Sequence, residues 1–267
     1  SFQENAYADW GSTYAGHFLV EARSLGYNVP EEIYAHWLQD AKSRAKTVNK
    51  KDHRYQTYRL FVLALAKEPQ MGAMNLGREN YLGVLDPLSR RLLAAAYQLS
   101  GMQQVAREIR TSAPTEIRPY RELAGTYGSP LRDAGLMAYL SVKMDDMETA
   151  AYLLKSVAKS FSETEWFSTQ ETAMALLAYG AYYKGTSFPG GAVALRVKMG
   201  DAAWQDMTLA GYQKVVDLDD MWGKKLVVEN KSDNPLFVTL FEEGVPVDNR
   251  IQTGHQGIEM TRGFFDA

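Results

Sequence analysis

The sequence predicts a mainly α-helical chain with a small β portion at its C-terminal end. Apolar residues recur at spacings of three and four up to about residue 184, as on the buried faces of helices. A cluster of structure-breaking residues, Gly185–Gly191, follows. Beyond it, apolar and polar residues alternate in short runs, as they do in strands. We therefore expect a helical domain over residues 1–187 and a β region over residues 188–267.

Signals for helix starts and ends divide the first part of the chain into nine segments. Gly26 ends the first helix, and Pro30 lies in the first turn of the second, followed by two glutamates that favour the positive end of the helix dipole. Asp52 is placed to cap the third helix, which stops before Pro69. The predicted helices are 13–25, 30–46, 53–65, 73–81, 87–99, 102–113, 131–143, 147–161 and 168–184.

The last of these helices has the clearest start. Ser168 and Glu171 have the spacing of a capping box, in which each side chain binds the backbone N–H of the other residue. The residues that follow, up to Lys184, are apolar nearly all round the helix. That pattern predicts a helix buried on most sides.

Neighbouring helices form close pairs joined by tight turns. The turns at Ser100-Gly101 and at Met144–Asp146 each separate a helix rich in leucine and alanine from one with more widely spaced apolar positions. Both pairs are typical of αα-hairpins. Repetition of this unit predicts a stack or a ring of hairpins, with no period regular enough for a named solenoid repeat.

Four runs in the last part of the chain have the composition of strands. Residues 192–199 alternate between apolar and other side chains, and residues 226–228 and 236–241 are separated by a turn-forming segment. We expect the latter two runs to pair as a hairpin. Residues 258–265 are predicted to form one more strand.

Composition excludes several kinds of function. The 267-residue chain has 46% hydrophobic and 23% charged residues and a net charge of −3, which gives no electrostatic footprint for nucleic acid or an anionic membrane. The absence of cysteine excludes disulfides, thiolate metal sites, thiol nucleophiles and an internal thioester from this stretch. No apolar run is as long as a membrane span, and no signal peptide is present. The first residues suggest a piece of a longer protein.

Two acidic or histidine-containing patterns have the spacing of metal ligands, but a structural interpretation is favoured for both. His17 and Glu21 lie four residues apart on one helix face, which is more often a packed histidine than a ligand pair. The acidic run 217–220 lacks the glycine and the terminal glutamate of a calcium loop, so a solvated turn is favoured.

Three other groups were weighed for function, and each is better explained by structure. Asp145 and Asp146 fit a helix cap. Glu163 and Glu165 have the residue type of a general acid and base, but also suit a solvated loop. The aromatic residues with helical spacing are predicted to belong to the core rather than to a sugar or terpenoid pocket: Trp10, Trp37, Tyr55, Tyr58, Tyr179, Tyr182 and Tyr183.

Several longer segments resemble one known family. Residues 12–22 (STYAGHFLVEA), 26–30 (GYNVP) and 166–178 (WFSTQETAMALLA) are similar to the thioester domain of bacterial alpha-2-macroglobulins. The hairpin over residues 131–150 fits the same region, and residues 257–266 (GIEMTRGFFD) look like the first strand of that family's last macroglobulin-like domain. These segments occur in the family's order and cover nearly the whole chain.

The resemblance implies an α/α-toroid that lacks its first helices, followed by a CUB-like β region. It also implies a parent protein that inhibits peptidases by trapping them after cleavage of a bait region, with a periplasmic location and, in one arrangement, a lipoprotein anchor. In members with a thioester, a Cys-x-x-Gln segment near the start of the toroid reacts with a lysine amine of the peptidase. Because that segment would lie upstream of Ser1, no catalytic, cofactor-binding or metal-binding residue is assigned in this chain, and no cofactor is expected.

Two other functions remain open at this point. One is an α/α-barrel enzyme that acts on carbohydrate, which would need a pocket with two carboxylates about 5–10 Å apart. The other is a helical-repeat scaffold that binds a partner protein, which would need a large exposed patch on one helical face.

Overall fold

The computed structural model describes residues 2–47, 53–122, 125–163, 166–185, 192–210, 214–217, 223–233, 236 and 238–241, with only the backbone described for residues 2–8. The chain divides into two compact units, Ser1–Pro189 and Gly190–Ala267. Helices form the first unit, and a small antiparallel sheet lies in the second. The predicted fold class, mainly α with a β portion, is confirmed.

The described part of the first unit contains nine α-helices and one 3₁₀ turn at Leu82–Val84. The helices are α1 (Phe2–Ser24), α2 (Glu31–Ala45), α3 (His53–Leu65), α4 (Met71–Tyr81), α5 (Pro87–Leu99), α6 (Gln103–Thr111), α7 (Pro130–Lys143), α8 (Met147–Glu163) and α9 (Thr169–Gly185).

The odd-numbered helices form an inner layer and the even-numbered helices lie outside it. Each inner helix packs on the next one, from α1 through α3, α5 and α7 to α9. Helix α2 covers α1 and α3, α4 covers α3 and α5, α6 packs on α5, and α8 covers α7 and α9. A hydrophobic core lies between the inner helices, where consecutive residues of α3, α5 and α7 are buried on all sides. This arrangement is the predicted ring of hairpins.

Side-chain caps and glycines explain why most helices start and stop where predicted. Asp86 caps α5 and Ser129 caps α7, and each is followed by a proline that suits the first helical position. Gly26 and Gly101 follow helix ends with positive φ angles of 82° and 81°, which glycine adopts without steric penalty. The first helix differs from the prediction because it begins at Phe2 and not near Thr13.

Helix α9 is less buried than its composition predicts. Only Met174, Ala175 and Ala178 are buried, whereas the side chain of Leu176 is 67% exposed. The prediction of burial on most sides is therefore wrong. The physical reason is position: α9 is the last inner helix, so it packs on one inner neighbour, α7, and on one outer helix, α8.

The second unit contains a three-stranded antiparallel sheet with the strand order β2-β1-β3. The strands are β1 (Val193–Met199), β2 (Gln205–Leu209) and β3 (Leu226–Asn230). Central strand β1 pairs Leu195 with Met207 of β2 and Val197 with Val228 of β3, so apolar side chains share one face.

Strand pairing in this unit differs from the prediction. Strand β3 pairs with β1, and the described residues of the run 236–241 are not in a strand, so the predicted hairpin between 226–228 and 236–241 is wrong. Strand β2 was not predicted, because its sequence Gln-Asp-Met-Thr-Leu carries too few apolar residues to stand out. The predicted strand 258–265 lies outside the described residues.

Candidate functional site

The N-terminal ends of the inner helices meet at one end of the ring. The indole Nε1 of Trp10 in α1 donates a hydrogen bond to Oε1 of Gln170 in α9, at 3.3 Å. The hydroxyl of Ser129, the cap of α7, donates to Oε1 of Glu171 at 2.5 Å. Arg54 in α3 binds Asp86, the cap of α5, at 3.2 Å. Polar side chains thus join α1 to α9, α9 to α7 and α3 to α5 at this end.

A buried ion pair lies at the centre of this polar cluster. The guanidinium of Arg132 is fully buried and donates from Nε and Nη2 to Oδ1 of Asp133, at 2.8 and 2.6 Å. Its Nη1 donates to the backbone oxygen of Thr126 at 2.9 Å, and its Cζ lies 4.5 Å from the ring centroid of Trp10. These contacts compensate the cost of removing a guanidinium from water.

Tyr120 joins the two arginines of the cluster to the aspartate. Its hydroxyl donates to Oδ2 of Asp133 at 2.6 Å, and it accepts hydrogen bonds from Arg54 at 3.1 Å and Arg132 at 3.2 Å. Burial, followed by the charge of Asp133, raises the pKa of Tyr120 to about 12. Burial alone would lower the pKa of Arg54, but Asp86 and Asp133 outweigh it and raise the pKa.

Tyr120 belongs to the segment 112–129, which connects α6 to α7 and is called the strap here. Ile117 of the strap packs against the hydrophobic core. A Cβ on Gly128 would lie 2.5 Å from the Tyr120 hydroxyl, so glycine lets these two parts of the strap come this close together. Through Tyr120 and Ile117 the strap contacts this end of the ring and the core.

The chemistry of the cluster is that of a structural lock. Both oxygens of Asp133 accept hydrogen bonds, and Asp86 both caps α5 and pairs with Arg54. Carboxylates that are held in this way by cations are not arranged for general acid–base catalysis. Sequence reasoning missed this cluster, although a charged Arg132-Asp133 pair inside a helix rich in leucine and alanine was a signal that could have revealed it.

His17 and Glu21, considered above as a ligand pair, belong to a second buried cluster. Nδ1 of His17 lies 2.9 Å from the Tyr58 hydroxyl, and the Tyr139 hydroxyl donates to Glu21. Lys143 binds Glu21 at 3.5 Å. Among the described residues, no three histidine or carboxylate side chains come close enough to hold a metal. The favoured interpretation, a packed histidine, fits this arrangement.

The remaining acidic candidates have local structural contacts or are not described. Asp146 accepts a hydrogen bond from the backbone of Thr149 at 3.3 Å, as a helix cap does. Glu163 is exposed at the end of α8 and lies 3.8 Å from Lys159. Glu165 and residues 218–220 lie outside the described residues.

Most aromatic candidates contribute to the core. Trp10 and Tyr58 are buried with ring centroids 4.8 Å apart, and Trp37 donates to the backbone oxygen of Ser12 at 3.1 Å. The hydroxyl of Tyr179 donates to the backbone oxygen of Leu154 at 2.9 Å. Tyr55, Tyr182 and Tyr183 are half-buried.

Each of the two helices at the ends of the inner layer carries a stripe of small and apolar residues. The stripe on α1 and the residue after it runs from Gly11 to Leu25, and its members are three or four residues apart, so they lie on one face of the helix. Within it, the side chain of Phe18 is 69% exposed and that of Leu25 is 53% exposed. A stripe with the same spacing on α9 contains Leu176. We call the two stripes together the α1–α9 seam, and it consists of Gly11, Ala15, Phe18, Ala22, Leu25, Thr169, Ala173, Leu176 and Gly180.

The seam is the place where the outer layer is interrupted. Three other pairs of neighbouring inner helices share an outer helix, α2, α4 or α8, that packs on both members. Helices α1 and α9 are linked by Trp10 and Gln170, yet no described helix packs on both of them. Exposed apolar patches of this kind are typical of surfaces that bind other protein segments.

Among the described residues, no helix is both long enough and apolar enough to cross a membrane.

Solved structures of bacterial alpha-2-macroglobulins have the same fold. A point mutant of the Salmonella protein is 23% identical over 84% of this chain and 15% of its own chain, with a TM-score of 0.63. The Salmonella protein reacted with methylamine is 22% identical over 83% and 14% of the two chains, with a TM-score of 0.59. Escherichia coli alpha-2-macroglobulin activated by porcine elastase is 20% identical over 84% and 20%, with a TM-score of 0.56.

These comparisons confirm the resemblance at the level of the fold. The chain spans at most 20% of the length of these three proteins. No protein-family profile matches the chain, and no curated protein sequence does.

Proposed function

We propose that this chain is part of a bacterial alpha-2-macroglobulin-like inhibitor of peptidases. In this proposal the chain is a non-enzymatic scaffold, and the thioester, where the parent has one, lies outside it. The parent traps a peptidase after bait cleavage, so its partners are target peptidases and the other domains of the same protein. Residues 1–187 are the incomplete toroid, and residues 188–267 are a CUB-like region that ends in the start of a macroglobulin-like domain. The parent is periplasmic.

The observation that carries the proposal is the uncovered α1–α9 seam. A ring of hairpins that lacks its first helices leaves its first and last inner helices without an outer helix that packs on both of them. Phe18 and Leu176 would then be buried by helices of the parent that precede residue 1. The same missing part of the toroid is where the family resemblance puts the thioester segment.

The solved relatives support the two steps that the proposal assigns to the parent. One relative was reacted with methylamine, a small amine of the kind that attacks an activated carbonyl. Another was activated by a peptidase, porcine elastase. The polar cluster supports the scaffold role, because its carboxylates are already engaged in caps and ion pairs.

The decisive experiment compares the parent protein with the isolated 267-residue chain. The parent should form a covalent adduct with elastase or trypsin, and prior treatment with methylamine should reduce that adduct. The isolated chain should form none. A covalent, methylamine-sensitive adduct with the isolated chain would show that a reactive centre lies inside it. A short parent without upstream β domains would contradict the family assignment.

The seam itself also favours a second candidate, a helical scaffold that binds a separate partner protein. Substitution separates the two candidates. Phe18→Ser and Leu176→Ser should change the stability of the isolated chain by less than about 0.5 kcal/mol, because both side chains are exposed. In the parent they should destabilise by about 1–3 kcal/mol if upstream helices bury them.

Tyr152→Ser is the matched control, because Tyr152 is 66% exposed and belongs to α8, which contributes no residue to the seam. This substitution should leave the free energy of unfolding unchanged in the isolated chain and in the parent. If the two seam variants are as harmless in the parent as Tyr152→Ser, the seam is free there, and the partner-binding scaffold replaces our proposal.

A further inference from the structure

A polar pocket lies at the opposite end of the ring from the N-terminal polar cluster. It has a volume of about 220 Å³ and is bounded by Gln98 at the end of α5, by α6, and by Met144 and Asp145 in the turn between α7 and α8. This volume corresponds to about seven water molecules. It is smaller than pockets for drug-sized ligands. The pocket therefore suits one small polar group or a single side chain.

Arginine and glutamine side chains form one wall of the pocket. Arg107 is exposed on α6, one turn from Gln103, and both line the pocket. Arg110 also lines it, and its Nη1 binds Oδ2 of Asp146 at 3.2 Å. The guanidinium fork carries five donors, so one such contact leaves further donors available.

A third arginine lies close to this wall but is buried. Arg91 in α5 is 2% exposed, and its Nη1 donates to the Ser141 hydroxyl at 3.4 Å. Its Nε has no hydrogen-bond partner within the described part of the chain. Burial lowers the pKa of Arg91. The charge of Asp146 raises this pKa by a smaller amount and the charge of Arg110 lowers it, so both charges lie near Arg91.

The charges around the pocket favour an anion. Arg107 and Arg110 line the pocket with Asp145, and the nearby Arg91 and Asp146 add one charge of each sign, which leaves one positive charge in excess. Asp145 is partly satisfied, because Nε2 of Gln98 donates to its Oδ2 at 3.3 Å. An excess of one charge matches a monoanion better than a phosphate dianion.

We propose that this pocket binds a carboxylate. The two carboxylate oxygens accept hydrogen bonds from the guanidinium groups of Arg107 and Arg110, a pairing that planar guanidinium forks favour. The amide of Gln103 supplies a further donor. The carboxylate is either an acidic side chain of a peptide segment or a small free organic acid, since both present the same group.

The test is an NMR titration of the 267-residue chain at constant ionic strength, with sodium chloride as the balancing salt. The probes are glutarate, the peptide acetyl-Ala-Glu-Ala-amide and its uncharged glutamine counterpart. Glutarate and the glutamate peptide should give saturable shifts at the amides of Gln103 and Ala106, with dissociation constants of about 1–10 mM or tighter. Tighter binding of the glutamate peptide identifies a protein side chain as the ligand, and equal or tighter binding of glutarate identifies a free acid.

Two variants complete the experiment. Arg107→Gln should weaken binding at least tenfold, and because Arg107 is exposed, its circular dichroism spectrum should match that of the original chain. Lys155→Gln on α8 removes the same charge from an exposed site outside the pocket and should leave binding unchanged. Equal losses in both variants, shifts that never saturate, equal binding of the glutamine peptide, or equal shifts from chloride alone would each overturn the proposal.

Discussion

Ser129 and Glu171, 42 residues apart in the sequence, join the starts of α7 and α9. The Ser129 hydroxyl caps α7 and also donates to Oε1 of Glu171 at 2.5 Å. The other carboxylate oxygen of Glu171 accepts from the backbone N–H of Ser168 at 2.7 Å. One carboxylate therefore completes the capping box of α9 and fixes α9 against α7.

Replacing Ser168 and Glu171 together with alanine should lower the free energy of unfolding by about 1–2 kcal/mol, because two caps at the start of α9 are lost. Glu171→Ala alone should cost more than Ser168→Ala alone, because it also removes the bond to Ser129. Chemical denaturation measures both effects. Ser160→Ala is the matched control: Ser160 is half-buried inside α8, its hydroxyl bonds only its own helix, and its loss should be nearly neutral.

The same carboxylate has a predictable pH dependence. Burial alone would raise the pKa of Glu171, but hydrogen bonds from Ser129 and Ser168 outweigh it and lower the pKa. A lowered folded pKa means that the stabilisation is present above the unfolded value of about 4.3 and is lost as the pH falls through the folded value. Glu171→Gln should therefore be more destabilising at pH 6 than at pH 3. An equal effect at both pH values would contradict the role of the charge.

Local sequence signals predicted most helix ends correctly, because the residues at these ends determine the backbone conformation there. Pro87, Pro130, Gly26 and Gly101 set backbone conformations that do not depend on the rest of the fold. Strand pairing was predicted poorly because partners far apart in sequence decide it. Strand β3 joins β1 through pairs such as Arg196 with Glu229, which no local pattern indicates.

The candidate site was harder to predict than the fold. Tyr120, Arg54 and Asp133 come from three separated segments, so their contacts exist only after the ring has formed. The exposure of Leu176 also depends on the fold. An apolar helix at the end of the inner layer can have the same composition as one that has an inner neighbour on both sides. Family resemblance predicted the ring, but the uncovered seam required the structure.

Tyr120→Phe should loosen the strap. The substitution keeps the aromatic ring of residue 120 but removes the hydroxyl that contacts Asp133 and two arginines. The buried carboxylate of Asp133 is then left with fewer hydrogen-bond donors. We expect a loss of about 1–3 kcal/mol in the free energy of unfolding. Hydrogen exchange should rise in residues 112–122. Tyr152→Phe, which removes an exposed hydroxyl on α8, should change neither quantity.

Close contact between α7 and α9 depends on Gly135. A Cβ at this position would lie 3.0 Å from the backbone nitrogen of Ala175 and the carbonyl carbon of Met174, and backbone atoms cannot move away as a flexible side chain can. Gly180→Ala in α9 is the matched control, because no atom lies within 4 Å of the added Cβ. Both substitutions bring the same gain in helix propensity, about 0.5–1 kcal/mol.

Gly180→Ala should therefore stabilise the isolated chain, whereas Gly135→Ala should be less stable than Gly180→Ala by about 1–3 kcal/mol, the usual cost of overpacking. Thermal and chemical unfolding measure the difference. Equal stability of the two variants would show that α7 and α9 are not packed this closely.

His17 should make the first unit sensitive to acid. The imidazole of His17 is fully buried, and burial lowers its pKa from 6.5 to about 4. The charge of Glu21 has a smaller raising effect on this pKa, and the charge of Lys143 has a smaller lowering effect. A lowered pKa means that the unfolded chain binds a proton at a higher pH than the folded chain does. The free energy of unfolding should therefore fall between pH 6.5 and about pH 4, by at most about 1.4 kcal/mol per pH unit from this group.

His17→Gln tests this dependence, because glutamine cannot gain the proton. Carboxylates such as Glu21 titrate in both proteins, so the relevant quantity is the difference between the two slopes of unfolding free energy against pH. The original chain should have the steeper slope between pH 6.5 and pH 4.5. His36→Gln, at an exposed histidine on α2, should leave the slope unchanged. A slope that responds equally to both substitutions would mean that His17 is not buried in its neutral form.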